Sequence, residues 1–569
     1  MLKPQNNRCR TVIELNGFWE YAREMATPPV NGFTPEGKLA VPATWNEQKS
    51  SLFHYNKRLW YQKRFTTPRL REGERVFLRF AGIVYRGEFF CNGTRLGEDL
   101  LGFLPHEFDI TDLLNEEENL IVAGIDGNIA PEQPIGVGDF YVYGGIHRPV
   151  TLEIRNAVCF ETLQVKAEAS GKVSVRFQAS GGTGCRFAVS GTGASAVGSA
   201  GEVTFALDKV TPWSPETPAL YELKAELFDG DTLCDIYTLR IGFRTVEIKG
   251  RKIMLNGKEV KLTGFGKHED FPVLGKATLP AVYVKDFDLM KWCGANSFRT
   301  SHYPYSEEIM ELADESGFMV IDESCCVAVP KEKMIVPQVQ QNAVDFIRAL
   351  IARDINHPCV ISWSMGNECE TQSENALQFF PPVFEAARQA DPSRPLTYVA
   401  FTGPGIDHIY KYADIIGLNR YFGWYSYPQW GDPCKPGDLK QAEKTLGECL
   451  DEYYKLYEKP ILLSEFGADC VAGLHSLHTE QFSEEFQAAM VADCIRCVQE
   501  RDWMAGMHIW CFADFYAMQS PMRVMGNRKG IFTRNRDPKA AAFVVRKLWT
   551  KQSGDALYRL NDDEPCGPF

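Results

Sequence analysis

The chain has 569 residues and a mass of 64.2 kDa, which at roughly 150 residues per domain predicts three or four domains and excludes a single small module. Hydrophobic residues make up 44% of the chain and charged residues 24%, a composition that excludes a largely disordered protein. The net charge of −13 argues against nucleic acid or an anionic membrane as a partner, so any bound anion needs a local cationic site.

Short alternating strands fill residues 1–155. Arg75–Phe80 alternates polar and apolar side chains, and Gly87–Cys91 leads directly into the turn pair Asn92-Gly93. These alternating runs with turn signals predict an all-β domain, a sandwich, over residues 1–155.

A second β-domain is predicted over residues 156–248. Strand-like runs continue, but residues 179–201 are so rich in Gly, Ser, Thr and Ala that they predict hairpins with long loops. A length near 90 residues is typical of an immunoglobulin-like sandwich.

The pattern changes to repeated βα units over residues 249–569. Helical stretches over 307–316 and 342–355 alternate with apolar strand-like runs at 297–299, 318–321, 360–363, 415–418 and 461–463. Some 320 residues of this pattern suffice for an eight-stranded barrel, whose active site lies where the strands end.

Polar side chains stand at those strand ends. The run 461–463 leads into Ser464-Glu465, and the run 360–363 leads into Asn367-Glu368, which places two carboxylates on one face of the barrel. Other groups with the same placement are Arg299, His302, Tyr303, Asp322, Glu323, Asn419, Tyr421, Trp510 and Asp514.

Two carboxylates at one barrel mouth suit the hydrolysis of a glycosidic bond. This reaction needs a proton donor on the leaving oxygen and a carboxylate beneath the anomeric carbon. One carboxyl must be neutral and the other ionised at the working pH. An ordinary surface position for Glu368 and Glu465 is a weak alternative, because an apolar run leads into each of them.

The cysteines and residues 1–8 indicate the cellular compartment of the protein. Seventeen cysteines scattered through a large chain are typical of reduced thiols. Residues 1–8 have no apolar segment typical of a signal peptide, and no apolar run of about 18 uncharged residues occurs anywhere. We therefore expect a cytoplasmic protein that does not enter a membrane.

The order and spacing of six short stretches resemble the β-glucuronidases of glycoside hydrolase family 2 over nearly the whole chain. The stretches are Leu15–Trp19, Trp60–Phe65, Asp139–Arg148, Arg299–Pro304, Arg353–Pro358 and Ser464–Ser476. The resemblance implies a multidomain β plus α/β protein with a jelly-roll β-sandwich, an immunoglobulin-like β-sandwich and a C-terminal (β/α)8 TIM barrel. It makes Glu368 the acid/base and Glu465 the nucleophile, with retention of configuration.

The sugar is indicated by residues 525–534. Asn527-Arg528-Lys529 resembles the Asn-x-Lys signature with which glucuronidases hold the C6 carboxylate. A protein of net charge −13 needs a local cation for an anionic sugar, and Lys529 with the Asn527 amide would supply charge-assisted hydrogen bonds. In isolation such a stretch is more often an exposed turn.

Further positions match the family with the following implied roles. Tyr421 matches the tyrosine that hydrogen-bonds the nucleophile, and Asn367 could bind the sugar 2-hydroxyl. The remaining expected sugar contacts are Asp139, His268, Asn419, Tyr425, Trp510 and Arg523. Asp139 belongs to the first domain, so its role requires that domain to reach over the barrel mouth. A structural role stays open for His268.

Two features depart from well-known members of the family. Phe466 and Phe422 stand where tyrosine is common. The segment Ser324–Pro337 is short, where longer relatives carry an extended loop over the aglycone. We therefore expect an open mouth that admits bulky aglycones, unless residues 426–430, with two aromatic side chains, cover it instead.

Alternatives remain at this point. A family 2 hydrolase for a β-galacturonide or for a neutral sugar, as in β-galactosidases, is the second enzymatic hypothesis, and a catalytically silent carbohydrate-binding relative is the third. No metal site is predicted and no cofactor is required for catalysis, although some gut bacterial relatives carry a non-catalytic flavin. The expected partners are small-molecule or oligosaccharide glucuronides and further copies of the chain in a homo-oligomer, commonly a tetramer in the family.

Overall fold

Three bodies of secondary structure follow one another in the computed structural model, which describes residues 1–136, 138–198, 201–277, 279–425 and 434–550. The strands of the first are β1 (Arg10–Glu14), β2 (Gly17–Arg23), β3 (Gly37–Val41), β4 (Arg58–Thr66), β5 (Glu74–Phe80), β6 (Arg86–Cys91), β7 (Thr94–Asp99), β8 (His106–Asp109), β9 (Glu118–Asp126) and β10 (Val150–Asn156). They form a four-stranded sheet, β1-β10-β5-β8, and a six-stranded sheet, β3-β2-β4-β9-β6-β7.

The first body is the predicted β-sandwich. Strand β5 buries Val76, Leu78 and Phe80, as its alternating sequence requires. Asn92 and Gly93 both have positive φ, 49° and 82°, which is the geometry of a tight hairpin turn between β6 and β7. One short helix, α1 (Trp45–Gln48), lies in this body.

The second body is a smaller β-sandwich. Its strands are β11 (Phe160–Ala167), β12 (Lys172–Ala179), β13 (Gly184–Val189), β14 (Ser195–Gly198), β15 (Glu202–Ala206), β16 (Tyr221–Asp229) and β17 (Thr232–Ile241). They form a three-stranded sheet, β11-β12-β15, and a four-stranded sheet, β14-β13-β16-β17. The Gly- and Ser-rich stretch contains the predicted hairpin, β13-β14.

The third body is a closed barrel, entered through the small sheet β18 (Val246–Lys249), β19 (Lys252–Leu255) and β20 (Lys258–Val260). Its eight parallel strands are β21 (Leu262–Gly266), β22 (Ser297–Arg299), β23 (Met319–Glu323), β24 (Val360–Asn367), β25 (Leu396–Ala400), β26 (Ile415–Asn419), β27 (Ile461–Glu465) and β28 (Gly506–Trp510). Strand β21 pairs with both β22 and β28, which closes the ring. The barrel prediction is thus confirmed.

Helices lie between most barrel strands. They are α2 (Pro280–Cys293), α3 (Glu307–Ser316), α4 (Lys331–Met334), α5 (Pro337–Asp354), α6 (Ala376–Ala390), α7 (Leu439–Leu456), α8 (Glu484–Gln499) and α9 (Ala540–Thr550). Helix α5 begins five residues before the predicted start, because Pro337 occupies its first turn, where a proline needs no hydrogen-bond partner. The described connection over residues 401–414 contains no helix, so the βα repeat is incomplete there.

Domain contacts bring the first sandwich over the barrel mouth. Arg148 bonds Glu269 at 3.1 Å in a buried ion pair between the two bodies. The Gly136 amide donates to the Val327 carbonyl oxygen at 2.7 Å. These contacts place Gly136 and residues 138–141 of the first domain beside the carboxyl ends of the barrel strands.

The cysteines and the helices of the described residues have two further features. The sixteen cysteines of the described ranges form no disulfide, and all except Cys9 are buried. Within the same ranges no helix is long and apolar enough to cross a bilayer.

Candidate active site

A cavity of about 350 Å3 opens at the carboxyl ends of the barrel strands. It is lined by Gly138, Asp139, Phe140, His268, His302, Val327, Ala328, Asn367, Glu368, Phe401, Tyr421, Tyr425, Glu465, Trp510, Arg523 and Lys529. Ten of the twelve residues predicted for the site are in this lining, and Asn419 and Asn527 contact members of it. A cavity of about 530 Å3 between the domains contains none of the twelve.

Glu465 ends strand β27 and is held by two donors. Its side chain is about 5% exposed, Arg299 donates through Nη2 to Oε1, and the Tyr421 hydroxyl donates to Oε2 at 2.6 Å. A guanidinium and a phenol hydroxyl form strong hydrogen bonds to a carboxylate and fix its orientation. Both oxygens of Glu465 are therefore held at the floor of the cavity.

Glu368 follows strand β24 in a different environment. Its φ of 51° lies in the left-handed region, which is strained for a residue with a side chain and turns Glu368 out of the strand. Asn419 donates through Nδ2 to Oε1 at 2.7 Å. Burial and then the nearby Glu465 charge raise the pKa of Glu368 to about 7.

The two carboxyl groups thus have different surroundings. Glu465 faces an arginine, whereas Glu368 has an amide donor and a pKa of about 7. A neutral acid and an ionised carboxylate in one cavity can donate a proton and act as a nucleophile, respectively.

A cationic cluster forms another wall of the cavity. Lys529 is 1% exposed, and its Nζ donates to Asp469 Oδ2 at 2.6 Å and to the Tyr425 hydroxyl at 2.7 Å. Although burial disfavours the ammonium, Tyr425 and Asp469 raise the pKa of Lys529. Lys529 therefore stays charged where it meets the cavity.

Asp139 crosses from the first domain to this cluster. Arg523 donates through Nε to both Asp139 oxygens, at 2.8 and 2.7 Å, and Asn527 donates through Nδ2 at 2.8 Å. The first domain therefore contributes a charged side chain to the barrel cavity, as the prediction for Asp139 required.

His268 and Trp510 form an aromatic wall. The His268 Nδ1 atom lies 3.0 Å from the Tyr303 hydroxyl, and burial lowers the pKa of His268, so the ring is neutral. Trp510 stacks on His302 with ring centroids 5.0 Å apart. Both a structural and a binding role suit His268 in this position.

Several charged residues of the site were not assigned from the sequence. Arg299, His302 and Glu323 were noted only as strand-end groups, yet Arg299 contacts the nucleophile candidate and His302 lines the cavity. Asp469 was not singled out, although it lies in the stretch 464–476. Arg299, His302 and Asp469 lie within matched stretches, a signal that could have identified them, whereas Glu323 lies outside all six.

The short segment Ser324–Pro337 packs against the first domain. It contains helix α4, where the Lys333 Nζ atom donates to the Ile135 carbonyl oxygen at 2.9 Å. Val327 and Ala328 line the cavity. The alternative cover, residues 426–430, lies outside the described residues.

Comparisons with known proteins match the chain along almost its whole length. Family models match as "Glycosyl hydrolases family 2, sugar binding domain" over 39–155, "Glycosyl hydrolases family 2" over 150–244 and "Glycosyl hydrolases family 2, TIM barrel domain" over 246–553. A β-glucuronidase of Paenibacillus borealis is 32% identical, with 96% of this chain and 98% of that protein covered.

Solved structures agree with these matches. The β-D-glucuronidase of Dictyoglomus thermophilum is 35% identical with a TM-score of 0.88, covering 97% of this chain and 99% of that one. The β-glucuronidase of Bifidobacterium dentium, complexed with coumarin-3-O-glucuronide, is 32% identical with a TM-score of 0.91, covering 97% and 98%.

Proposed function

The chain belongs to glycoside hydrolase family 2 and is similar to its β-glucuronidases throughout, and from this premise we propose that it hydrolyses terminal β-D-glucuronides with retention of configuration. Glu465 is the nucleophile and Glu368 the acid/base. The observation that carries the proposal is a buried, charged Lys529 in the same cavity as this carboxylate pair.

The reaction proceeds in two displacements. Glu465 attacks the anomeric carbon while the Glu368 carboxyl gives its proton to the leaving oxygen, which yields the free aglycone and a glycosyl ester on Glu465. The Glu368 carboxylate then takes a proton from water, and the resulting hydroxide equivalent attacks the anomeric carbon and releases Glu465. The two glutamates and one water molecule supply all the protons and bonds of the reaction, which needs no cofactor.

Selectivity for the sugar comes from the cationic cluster around Lys529. Asn527 and Lys529 bind the C6 carboxylate, with Arg523 and Tyr425 beside them. We assign sugar-hydroxyl contacts to Asp139, Asn367, Asn419 and Trp510. A neutral sugar has no C6 carboxylate to accept a charge-assisted hydrogen bond from Lys529, which disfavours the galactosidase alternative.

Initial rates on p-nitrophenyl β-D-glucuronide, β-D-galacturonide and β-D-galactoside test this proposal. We expect the glucuronide to be turned over fastest. A faster galacturonide or galactoside would support the corresponding hydrolase instead. Glucuronide binding without turnover of any of the three would support the silent carbohydrate-binding relative. Homo-oligomer formation, a cytoplasmic location and a non-catalytic flavin stay predictions from sequence.

The raised pKa of Glu368 predicts a basic limb in the pH profile. The carboxyl is protonated below a pKa of about 7 and ionised above it, and only the protonated form can donate to the leaving group. We therefore expect kcat/KM on an alkyl glucuronide to fall as the pH rises through about 7. Rates measured from about pH 4 to 9 check this. In Glu368→Ala this limb should be absent, and its persistence there would assign it to another group.

The short segment Ser324–Pro337 predicts the aglycone preference. Loss of about 80 Å2 of apolar contact with a small aglycone removes about 2 kcal/mol. Relative to a family member with a longer segment here, this protein should therefore favour a glucuronate-terminated oligosaccharide over a small aryl glucuronide. The ratio of the two kcat/KM values, measured for both enzymes, decides the question. A lower ratio in this protein would show that another segment covers the mouth.

A further inference from the structure

A third carboxylate, Glu323, lies behind the nucleophile and takes no part in the two displacements. It ends strand β23 and is fully buried. Both of its oxygens lie 2.8 Å from Arg299 Nη1, and the Ser364 hydroxyl donates to Oε2 at 2.8 Å. His302 Nδ1 lies 2.9 Å from Oε1. Three side chains, from the two strands that flank β23 and from a loop, thus converge on one buried anion.

Two of these side chains continue to the nucleophile. Arg299 donates to Glu323 through Nη1 and to Glu465 through Nη2, so a single guanidinium joins the two carboxylates. The other ring nitrogen of His302, Nε2, lies 3.9 Å from Glu465 Oε1. The polar and charged groups facing Glu465 are therefore Arg299, His302, Tyr421 and, across the cavity, Glu368.

The charge on Glu465 changes during the proposed reaction, but the charge on Arg299 does not. In the free enzyme the guanidinium is shared by two anions, whereas in the glycosyl ester Glu465 is neutral. A buried guanidinium without an anion is unfavourable, since removing one partner of a buried ion pair leaves an uncompensated charge. Glu323 supplies the anion that stays with Arg299 in the intermediate.

We propose that Glu323 is a positioning residue for the nucleophile: it shares the charge of Arg299 with Glu465 and fixes Arg299 and His302 at the cavity floor. Without Glu323, Arg299 would bind Glu465 alone. Stronger pairing in the ground state than in the transition state slows the attack. This inference rests on the proposed roles of Glu465 and Glu368.

The test is the pH profile of kcat/KM in Glu323→Gln, measured on p-nitrophenyl β-D-glucuronide. The acid limb reports ionisation of the nucleophile. The introduced amide is a neutral partner for Arg299, so we expect kcat/KM to fall about 10- to 100-fold and the acid limb to move to lower pH by about one unit. Glu323→Asp keeps the negative charge but has a shorter side chain. Its kcat should therefore fall, while the acid limb stays at the pH of the wild type.

A matched control is Glu307→Gln. Glu307 is also a buried carboxylate paired with an arginine, Arg79, at 2.9 Å, but it lies outside the cavity lining. This variant measures the cost of losing a buried ion pair through its melting temperature, and its acid limb should match the wild type. A folded Glu323→Gln protein whose acid limb also matches the wild type would overturn the proposal.

A second variant, Ser364→Ala, tests the proposal if the Glu323→Gln protein does not fold. Ser364→Ala removes one hydrogen-bond donor to Glu323. The Glu323 carboxylate should then pair more strongly with Arg299, and Arg299 less strongly with Glu465. The acid limb should then move the opposite way, to higher pH, and an unmoved limb would contradict the proposal. Absence of glucuronide turnover by the wild type would instead refute the proposed function. The limb can still be measured on whichever glycoside is hydrolysed.

Discussion

Replacing Glu465 by glutamine is expected to abolish glucuronide hydrolysis, with kcat reduced by roughly four orders of magnitude or more. The amide cannot form the glycosyl ester, and Tyr421 and Arg299 can position but not replace a nucleophile. Single-turnover and steady-state rates on p-nitrophenyl β-D-glucuronide check this. Glu465→Ala should be equally inactive on every leaving group.

Glu368 variants should fail in a different way. Glu368→Gln should lose nearly all activity, but Glu368→Ala should retain more activity on a nitrophenyl glucuronide, whose acidic leaving group needs little protonation. Alkyl glucuronides should be hydrolysed very poorly. Near wild-type rates of either alanine variant on an alkyl glucuronide would show that the pair is wrongly assigned.

Glu370→Gln is a suitable control for this pair. Glu370 is a partly exposed carboxylate two residues beyond Glu368, and it accepts a hydrogen bond from the Lys331 backbone amide, outside the cavity lining. Its replacement should leave kcat and the pH profile near those of the wild type. The comparison separates the loss of a reacting group from a general disturbance of the loop.

Much of the barrel was predictable because its strands are buried on both sides. Runs such as 360–363 and 461–463 are continuously apolar or nearly so, and the polar residues that follow each run mark the barrel mouth. The location of Glu368 and Glu465 follows from this rule. The missing helix at 401–414 was not predictable in the same way, since nothing in a single βα unit requires the next to be complete.

The charged network of the site needed the structure. Arg299 contacts Glu323 and Glu465, which are 24 and 166 residues away along the chain, and sequence spacing does not encode such contacts. Asp139 and Arg523 are separated by 384 residues and lie in different domains. These pairs arise from the closure of the barrel and the docking of the first domain, which are properties of the whole fold.

The role of the cationic cluster around Lys529 follows only from the sequence and the structure together. The stretch 525–534 predicted Lys529, but an exposed turn was the ordinary alternative for such a stretch. The structure gives Lys529 an exposure of 1%, bonds it to Asp469 and Tyr425, and places it on the cavity. A charged ammonium on the lining of an open cavity can form a charge-assisted hydrogen bond to an anionic ligand there, which favours a binding role.

Lys529→Ala should therefore reduce the selectivity for glucuronides over glucosides more than it reduces the rate of the bond-breaking steps. A hydrogen bond to a charged group contributes about 1.5 to 3 kcal/mol, so kcat/KM on the glucuronide should fall about 10- to 100-fold or more. The matching glucoside has no C6 carboxylate and should lose far less. The neighbouring Arg528, whose Nε donates to the Val524 carbonyl oxygen, provides the control Arg528→Ala, which should preserve the ratio. An unchanged glucuronide-to-glucoside ratio in Lys529→Ala would mean that Asn527 and Arg523 select the sugar without it, or that the natural substrate is neutral.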